Sequence, residues 1–170
     1  MADILQQLEE MNVNVKRIAE SENKQFCYGR FLPSTEVMFV AEMPSFSKRW
    51  NPRNNFFISN TDKLFVQILT KHGFGGSYIT DIVKTCAPVG DLEPKQVESF
   101  TPFLLKEIEI LQPRLVVAVG KRALRELVSF GTSFRLYPQS LDHPARLRFP
   151  SHVPVFEEQV KELRSFFNGL

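Results

Sequence analysis

VMFVAEMPSFSKRWNPRNNFFISN, residues 37–60, is the stretch that decides the fold. It begins with five apolar residues, 37–41, which are typical of a short buried β-strand. A long polar loop follows at once, and Glu42 is its first residue. In open parallel sheets, ligands bind beyond the carboxyl ends of the strands. The stretch therefore predicts an α/β protein with its functional residues at one edge of a sheet.

The rest of the chain alternates apolar strands with amphipathic helices. Strands are predicted at 78–83, 115–120 and 137–141, and helices at 3–20, 63–71, 96–111, 121–130 and 156–168. We expect 21–33 to be an irregular connection, and Asn60 or Thr61 to cap the second helix. Strands separated by helices form βαβ units with right-handed crossovers. We therefore predict a three-layer α/β/α fold with a central four-stranded parallel sheet, in a single domain over residues 1–170.

The composition excludes several classes of protein. With 170 residues, of which 43% are hydrophobic and 24% charged, the chain is typical of a globular domain. Cys27 and Cys86 lie too far apart to indicate a disulfide framework or a zinc site. No apolar stretch approaches the ~20 residues that cross a bilayer, and the start lacks a signal-peptide pattern, so we expect a soluble, cytoplasmic protein. A net charge of +2 permits a nucleic-acid partner without indicating one.

Polar side chains stand at the ends of three predicted strands. They are Glu42, Asp81 and His143. Two carboxyl groups and an imidazole around one cleft can perform acid–base or charge-stabilising chemistry. Each residue also has a purely structural explanation, as a cap, a polar strand end or a turn residue. The three residue types alone leave these alternatives open.

Six segments form a more specific pattern when they are taken in order. They are AEMPS (41–45), NFFIS (55–59), ITDIVK (79–84), PFL (102–104), QPRLVVAVG (112–120) and HPARLR (143–148). Together they resemble the motifs GEAPG, PFVG, TNVVK, PYL, PKVIVALG and HPA-x-L-R of the uracil-DNA glycosylase superfamily, nearest its family 4. The resemblance covers residues 26–165. No single segment is specific, but the ordered set is.

The resemblance implies a hydrolase of base-excision repair that acts on DNA containing a damaged or deaminated base. Such enzymes flip the base into a pocket and break its N-glycosidic bond. By match, the Glu42 carboxylate would orient water and stabilise the cationic sugar. The His143 imidazole would donate a hydrogen bond to the negative charge that develops on the base.

The resemblance also assigns residues to the base and to the DNA backbone. The base-binding set is Ala41, Met43, Phe57 and Asp81, with Phe57 stacking on the flipped base. The DNA-binding set is Ser45, Lys48, Arg49, Arg53, Ala145, Arg146 and Arg148. A solvated basic face is the alternative explanation for the five cationic residues. We expect a monomer.

The cysteines depart from the family-4 pattern. That family holds an iron–sulfur cluster on four cysteines, and cluster ligation needs those thiolates. This chain has two cysteines, and Phe100 stands at the expected fourth position. We therefore predict no cluster, no other metal or cofactor, and core packing for Phe100.

Asp81 is the largest departure, because the family has Asn there. An Asn amide can pair with both N3–H and O4 of uracil, whereas an ionised Asp offers acceptors only. An ionised Asp81 would repel uracil O4 and suit a base with an amino group at that edge. A protonated Asp81 could mimic Asn. The glycines of the family motifs are also replaced, by Ala41, Ser45 and Ser59, so the pocket floor is expected to be tighter.

Three functions remain open at this point. The first is a DNA glycosylase. The second is a catalytically weak or inactive module that binds nucleic acid or a base on the same fold. The third is an unrelated nucleotide-binding protein, suggested by Val119-Gly120-Lys121, but the chain has no G-x-G-x-x-G or P-loop to support it.

Overall fold

The structure is a computed structural model that describes residues 2–27, 29, 36–44, 59–86, 93–131 and 133–170. The helices are α1 (Ala2–Ser21), α2 (Asn60–Lys71), α3 (Pro94–Leu111), α4 (Lys121–Ser129) and α5 (His152–Asn168). The strands are β1 (Gln25–Phe26), β2 (Val37–Ala41), β3 (Tyr78–Asp81), β4 (Thr85–Cys86), β5 (Leu115–Val119) and β6 (Leu136–Leu141). A 3₁₀ helix, Pro144–Arg148, joins β6 to α5.

Four strands form a parallel sheet in the order β3-β2-β5-β6. Val40 of β2 pairs with Thr80 of β3 on one side and with Ala118 of β5 on the other. All residues of β2, β3 and β5 are buried, as expected for parallel strands that are covered on both faces. The carboxyl ends of all four strands therefore lie at the same edge of the sheet.

Alternate residues of each strand pack against opposite layers of helices. Met38 and Val40 belong to a core cluster that includes buried residues of α1, α3 and α4. Phe39 and Ala41 belong to a second cluster, which contains the buried faces of α2 and α5. This arrangement confirms the predicted three-layer α/β/α fold with its four-stranded parallel sheet. None of the described helices is both long and apolar enough to cross a membrane.

The structure corrects several local predictions. β1 pairs antiparallel with β4 in a small second sheet, so the segment 21–33, which was predicted to be irregular, contributes a strand. Ser59 caps α2, rather than Asn60 or Thr61: its hydroxyl accepts a hydrogen bond from the backbone N–H of Asp62 at 3.0 Å. The helix therefore starts earlier than predicted.

Two further boundaries differ from the predictions. β3 ends at Asp81 instead of residue 83, although the backbone N–H of Ile82 still donates to the carbonyl of Ala41, the last residue of β2, at 2.9 Å. α5 begins at His152 rather than near residue 156. The shorter β3 places Asp81 at the very end of its strand.

Candidate active site

The three predicted polar residues lie at the same carboxyl edge of the sheet, at the ends of β2, β3 and β6. Glu42 follows β2, Asp81 ends β3 beside Ala41, and His143 follows β6. The backbone N–H of Val83 donates to the carbonyl of Glu42 at 3.1 Å, which ties the loops after β2 and β3 together. Parallel pairing therefore decides that residues about 40 and 100 positions apart share one site.

The Glu42 carboxylate forms an ion pair with Arg122 in the first turn of α4. Arg122 Nη1 lies 3.1 Å from Glu42 Oε1, and the two side chains are 30% and 29% exposed. The contact holds one carboxylate oxygen and restricts the rotamers of the side chain. Glu42 therefore has an orientation set by the protein, as a group that positions water requires.

His143 has a defined tautomer. Its Nδ1 accepts a hydrogen bond from the backbone N–H of Ala145 at 3.1 Å, as the cap of the 3₁₀ helix. Burial lowers the pKa of the His143 imidazole from its ordinary value, although the carboxylates of Glu42 and Asp62 act in the opposite direction. The imidazole is therefore neutral at pH 7, and its remaining proton lies on Nε2, which can donate a hydrogen bond.

Gly120 forms the tight turn between β5 and α4. Its φ of +96° is a conformation that side-chain-bearing residues rarely adopt. A Cβ atom on Gly120 would lie 4.0 Å from the Cβ of His143, and the Gly120 N–H donates to the carbonyl of Leu141 at 2.8 Å. The tight turn keeps the ends of β5 and β6 side by side.

Asp81 is a buried carboxyl group with an open oxygen. The residue is 2% exposed, and its Oδ1 has no hydrogen-bond partner among the described residues. Burial raises the pKa of the Asp81 carboxyl to about 8, with further upward contributions from nearby carboxylates and an opposing contribution from Lys84. At pH 7 the group is therefore mostly a neutral acid, with one O–H donor and one carbonyl acceptor.

Lys84 does not neutralise the Asp81 side chain, since its ammonium is engaged elsewhere. It donates to the hydroxyl of Thr80 and to the backbone carbonyl of Asp81, both at 2.6 Å, and to the Glu107 carboxylate. Glu107 also accepts from the Tyr78 hydroxyl at 2.7 Å and from Thr80 at 3.1 Å. This fully buried network lies next to Asp81 and holds its backbone.

Asp62 supplies a further carboxylate to the site from α2. It completes the capping box with Ser59, whose hydroxyl donates to Asp62 Oδ2 at 2.6 Å. Asp62 raises the pKa of both Asp81 and His143 through its charge. The first turn of α2 therefore adds negative potential to the edge that carries Glu42.

The 3₁₀ helix presents the predicted cationic residues beside His143. Arg146 and Arg148 are exposed; Arg146 contacts the Asp142 carboxylate at 3.2 Å, and the Arg148 guanidinium lies 4.7 Å from the centre of the Phe149 ring. Phe149 is itself 48% exposed, which is unusual for an aromatic side chain. Ala145 is exposed and contributes its backbone N–H to His143.

The remaining predicted site residues have mixed placements. Ala41 is buried in the α2/α5 core, and Met43 is partly buried against the α1/α3/α4 core. Five residues lie outside the described parts of the chain, and their roles stay predictions: Ser45, Lys48, Arg49, Arg53 and Phe57.

The donor groups of the chain do not fit a four-thiolate iron–sulfur cluster. The whole chain has two cysteines, of which Cys27 is buried, and the described residues contain no group of three or more His, Cys, Asp or Glu that could hold a metal ion. Phe100 is fully buried in the α1/α3/α4 core, as predicted, with its ring 6.2 Å from that of Phe103. Apolar packing thus occupies the position at which the family-4 resemblance places the fourth cysteine.

Three residues of the site were missed in the sequence. A signal existed for Glu107, a charged residue at an inward position of α3 between the buried Leu104 and Leu111. The Ser59-x-x-Asp62 capping box marks Asp62 as ordered. No sequence pattern marked Arg122 as a site residue, because its contact with Glu42 depends on where α4 packs against the sheet.

Comparisons with known proteins complete these observations. A profile described as the uracil DNA glycosylase superfamily matches residues 28–164. The type-4 uracil-DNA glycosylase of Sulfurisphaera tokodaii is 29% identical over 162 positions, which cover 80% of this chain and 72% of that protein. The type-4 uracil-DNA glycosylase of Pyrobaculum aerophilum is 33% identical over 99 positions, which cover 54% of this chain and 49% of that protein. The chain thus spans about half of the second relative.

Proposed function

Because the chain belongs to the uracil DNA glycosylase superfamily, we propose that it hydrolyses the N-glycosidic bond of uracil or another damaged base flipped out of DNA. The observation that carries the proposal is the pair formed by Glu42 and His143. An oriented carboxylate after β2 and a neutral imidazole after β6, with its proton on Nε2, lie at the same carboxyl edge of the sheet. These are the groups that a cationic sugar and an anionic leaving base require.

The chemistry divides between these two residues. As the bond between the sugar C1′ and the base nitrogen breaks, its electron pair moves to the base and C1′ becomes cationic. The negative Glu42 carboxylate stabilises the cation and accepts one proton of the water that adds to C1′. His143 Nε2–H donates to the base oxygen on which negative charge collects. The base then takes a proton from solvent and leaves as the neutral molecule.

A neutral His143 suits this role better than a cation would. A protonated imidazole would lose the hydrogen bond from Ala145 to Nδ1, which sets the ring orientation. Burial keeps the pKa of His143 below its ordinary value, so the cap and the Nε2 donor coexist at pH 7. The carboxylates of Glu42 and Asp62 oppose this effect, because negative charges favour the protonated imidazole, but burial is the larger influence on the pKa of His143.

DNA would approach from the edge that carries the 3₁₀ helix. Arg146 and Arg148 are exposed there and can contact phosphates, which account for most of the affinity of non-specific DNA binding. The exposed Phe149 adds an apolar surface beside them.

The test is an excision assay with single- and double-stranded oligonucleotides that carry one uracil, hypoxanthine or other damaged base. Abasic sites are detected by cleavage in alkali. We expect wild type to generate such sites, and Glu42→Gln and His143→Ala to reduce the rate about 10²–10³-fold each.

Two matched variants serve as controls. Glu36→Gln changes the glutamate at the opposite end of β2, which forms its own 3.1 Å ion pair with Arg114. His72→Ala changes a histidine that contacts Glu157 at the end of α2. Both controls should retain wild-type rates. Equal losses in controls and site variants would show a general folding defect and count against the assignment.

The ion pair between Glu42 and Arg122 favours one alternative, a module that binds a flipped base without hydrolysis, because a neutralised carboxylate is a weaker base. Fluorescence anisotropy with the same oligonucleotides distinguishes the two functions. Binding by wild type without any alkali-labile site would favour the module.

A further inference from the structure

The carboxyl group of Asp81 is surrounded by charges, yet no described residue binds its open oxygen. Lys84 follows β3, Glu107 faces it from α3, Asp62 from α2, and Glu42 from the end of β2. The one cation among them, Lys84, donates to the Asp81 backbone carbonyl rather than to an oxygen of the side chain. Three of the four neighbours are carboxylates, so a negative charge on Asp81 would be opposed from three elements.

A buried polar oxygen without a partner requires an explanation, because nearly all such atoms in folded proteins are hydrogen-bonded. Asp81 Oδ1 lies at the carboxyl end of β3, where α/β sheets bind ligands. The Asp81 backbone is fixed on both sides, through its pairing with Ala41 and through Lys84. A ligand is therefore the natural partner of this side chain, whose backbone is held in place at the edge of the sheet.

We propose that Asp81 recognises the pairing edge of the flipped base as a carboxylic acid, and that the site therefore accepts both uracil and cytosine. The proposal rests on the proposed function, which supplies the flipped base and the hydrolysis. It extends the substrate class to pyrimidines with either an oxygen or an amino group at position 4.

The two oxygens of a carboxylic acid can exchange donor and acceptor roles by moving one proton. Uracil presents an N3–H donor and an O4 acceptor, so the acid accepts from N3–H and donates to O4. Cytosine presents an N3 acceptor and an N4–H donor, so the same acid donates to N3 and accepts from N4. An ionised carboxylate would place an acceptor against O4 of uracil or against N3 of cytosine.

The acid also assists the departure of cytosine. As the bond to C1′ breaks, its electron pair moves into the ring and the Asp81 proton moves to N3, so cytosine leaves as a neutral molecule. Water adds to C1′ and gives one proton to Glu42, which returns it to solvent. Asp81 regains its proton from solvent. An Asn amide can hydrogen-bond to N3 but cannot transfer this proton.

Cytosine in a duplex is protected by its pairing with guanine. Extrusion costs least for an unpaired or mismatched base. We therefore expect excision of cytosine in single strands and in mismatches, and much slower excision in C·G pairs.

The experiment uses the full chain with matched oligonucleotides that carry one uracil or one cytosine at the same position, single-stranded, between pH 6 and 9.5. Wild type should excise both bases. Both rates should fall about tenfold per pH unit above pH 8, where Asp81 ionises. Burial lowers the pKa of His143 and raises that of Tyr78, so a fall in rate above pH 8 is not due to the titration of either group.

Asp81→Asn is the informative variant, and Glu42→Gln is the inactive control. The Asn variant should keep uracil excision without the loss above pH 8, and its cytosine rate should fall at least tenfold relative to its uracil rate. Uracil excision by wild type without cytosine excision would overturn the proposal, as would an unchanged fall above pH 8 in the Asn variant.

A direct titration separates this proposal from the proposed function. Carboxyl ¹³C NMR of aspartate-labelled wild type, compared with Asp81→Asn, gives the ionisation midpoint of Asp81 without any excision. A midpoint near pH 8 supports the carboxylic acid, and a midpoint below pH 6 overturns it. If wild type excises neither base, the proposed function fails together with cytosine excision, and the midpoint still decides the protonation state of Asp81.

Discussion

Asp81 and Glu107 are two buried carboxyl groups that share Lys84 as a neighbour, and they are bonded in opposite ways. Glu107, near the C-terminal end of α3, accepts hydrogen bonds from Tyr78, Thr80 and Lys84. Asp81, at the edge of the sheet, keeps Oδ1 without a partner among the described residues. Two acidic residues of similar burial are therefore bonded differently: the fully bonded Glu107 supports the fold, and the open oxygen of Asp81 is the one that we propose binds a ligand.

The surroundings of Glu107 show that its bonding is built into the fold. Gly29 makes room for Tyr78: a Cβ atom on Gly29 would lie 1.9 Å from the Tyr78 hydroxyl, which donates to Glu107. Side chains from β3 and from the loop after it thus bind the Glu107 carboxylate of α3. Nothing comparable closes on the Asp81 side chain within the described residues.

The largest effect is expected from Glu107→Gln. This change leaves the buried Lys84 ammonium without a counter-ion, and breaking a buried pair in this way typically costs about 3–5 kcal/mol of the free energy of unfolding. Urea unfolding at pH 7 measures it. Glu109→Gln, on the exposed side of the same helix, is the control and should cost less than about 1 kcal/mol.

The double variant Glu107→Gln/Lys84→Met tests the explanation. Removing both charges should restore at least half of the lost stability, since the unpaired cation is the main cost. If the losses of the two single variants simply add, the ion pair is not the source of the effect.

Asp81→Asn should change stability in the opposite direction. The pKa of Asp81 rises from 3.8 to about 8 on folding. Between about pH 4 and pH 8, the carboxyl group is therefore protonated in the native state and ionised in the unfolded chain. Asp81 therefore lowers stability as the pH rises through this window, and Asn, which does not titrate, removes the loss. We expect the variant to gain roughly 2–4 kcal/mol at pH 8.

The pH dependence of this gain is the sharper measurement. Urea unfolding of wild type and Asp81→Asn should differ much less at pH 4.5 than at pH 8. A gain that is constant with pH would mean that packing, and not the proton, explains it. Asp3→Asn, at the exposed start of α1, should change stability by less than about 1 kcal/mol at either pH.

The smallest effects are expected at the two ends of β2. Glu36 pairs with Arg114, and Glu42 pairs with Arg122, each at 3.1 Å and in contact with solvent. Glu36→Gln and Glu42→Gln should each change the free energy of unfolding by less than about 1 kcal/mol, as is usual for such pairs. Thermal unfolding at pH 7 checks this.

These two ion pairs extend the contrast between structural and functional carboxyl groups. If both variants change stability by similar amounts and only Glu42→Gln loses excision, two ion pairs of the same geometry differ in function and not in their contribution to stability. A loss of several kcal/mol in Glu42→Gln would instead place Glu42 with Glu107 as a residue of the fold.

The regular elements were predictable because their signals are local. The apolar run at 37–41 coincides with β2, and the alternation of strands and helices implies the parallel sheet. The pairing of β1 with β4 was not predictable, since it joins two-residue strands about 60 positions apart. The cap at Ser59 was missed because Asn60 and Thr61 offer equivalent side chains, and only the backbone geometry selects among them.

The sequence by itself determined the architecture, the family resemblance and the candidates Glu42, Asp81 and His143, because strand ends and motif order can be recognised along the chain. The tertiary structure decided their partners and their protonation. The packing of α4 against the sheet brings Arg122 into contact with Glu42, and the Ala145 N–H fixes the tautomer of His143. Along the chain, Asp81 could be an anion or an acid; burial among carboxylates favours the acid, because a pKa depends on solvation and neighbouring charges that exist only in the folded protein.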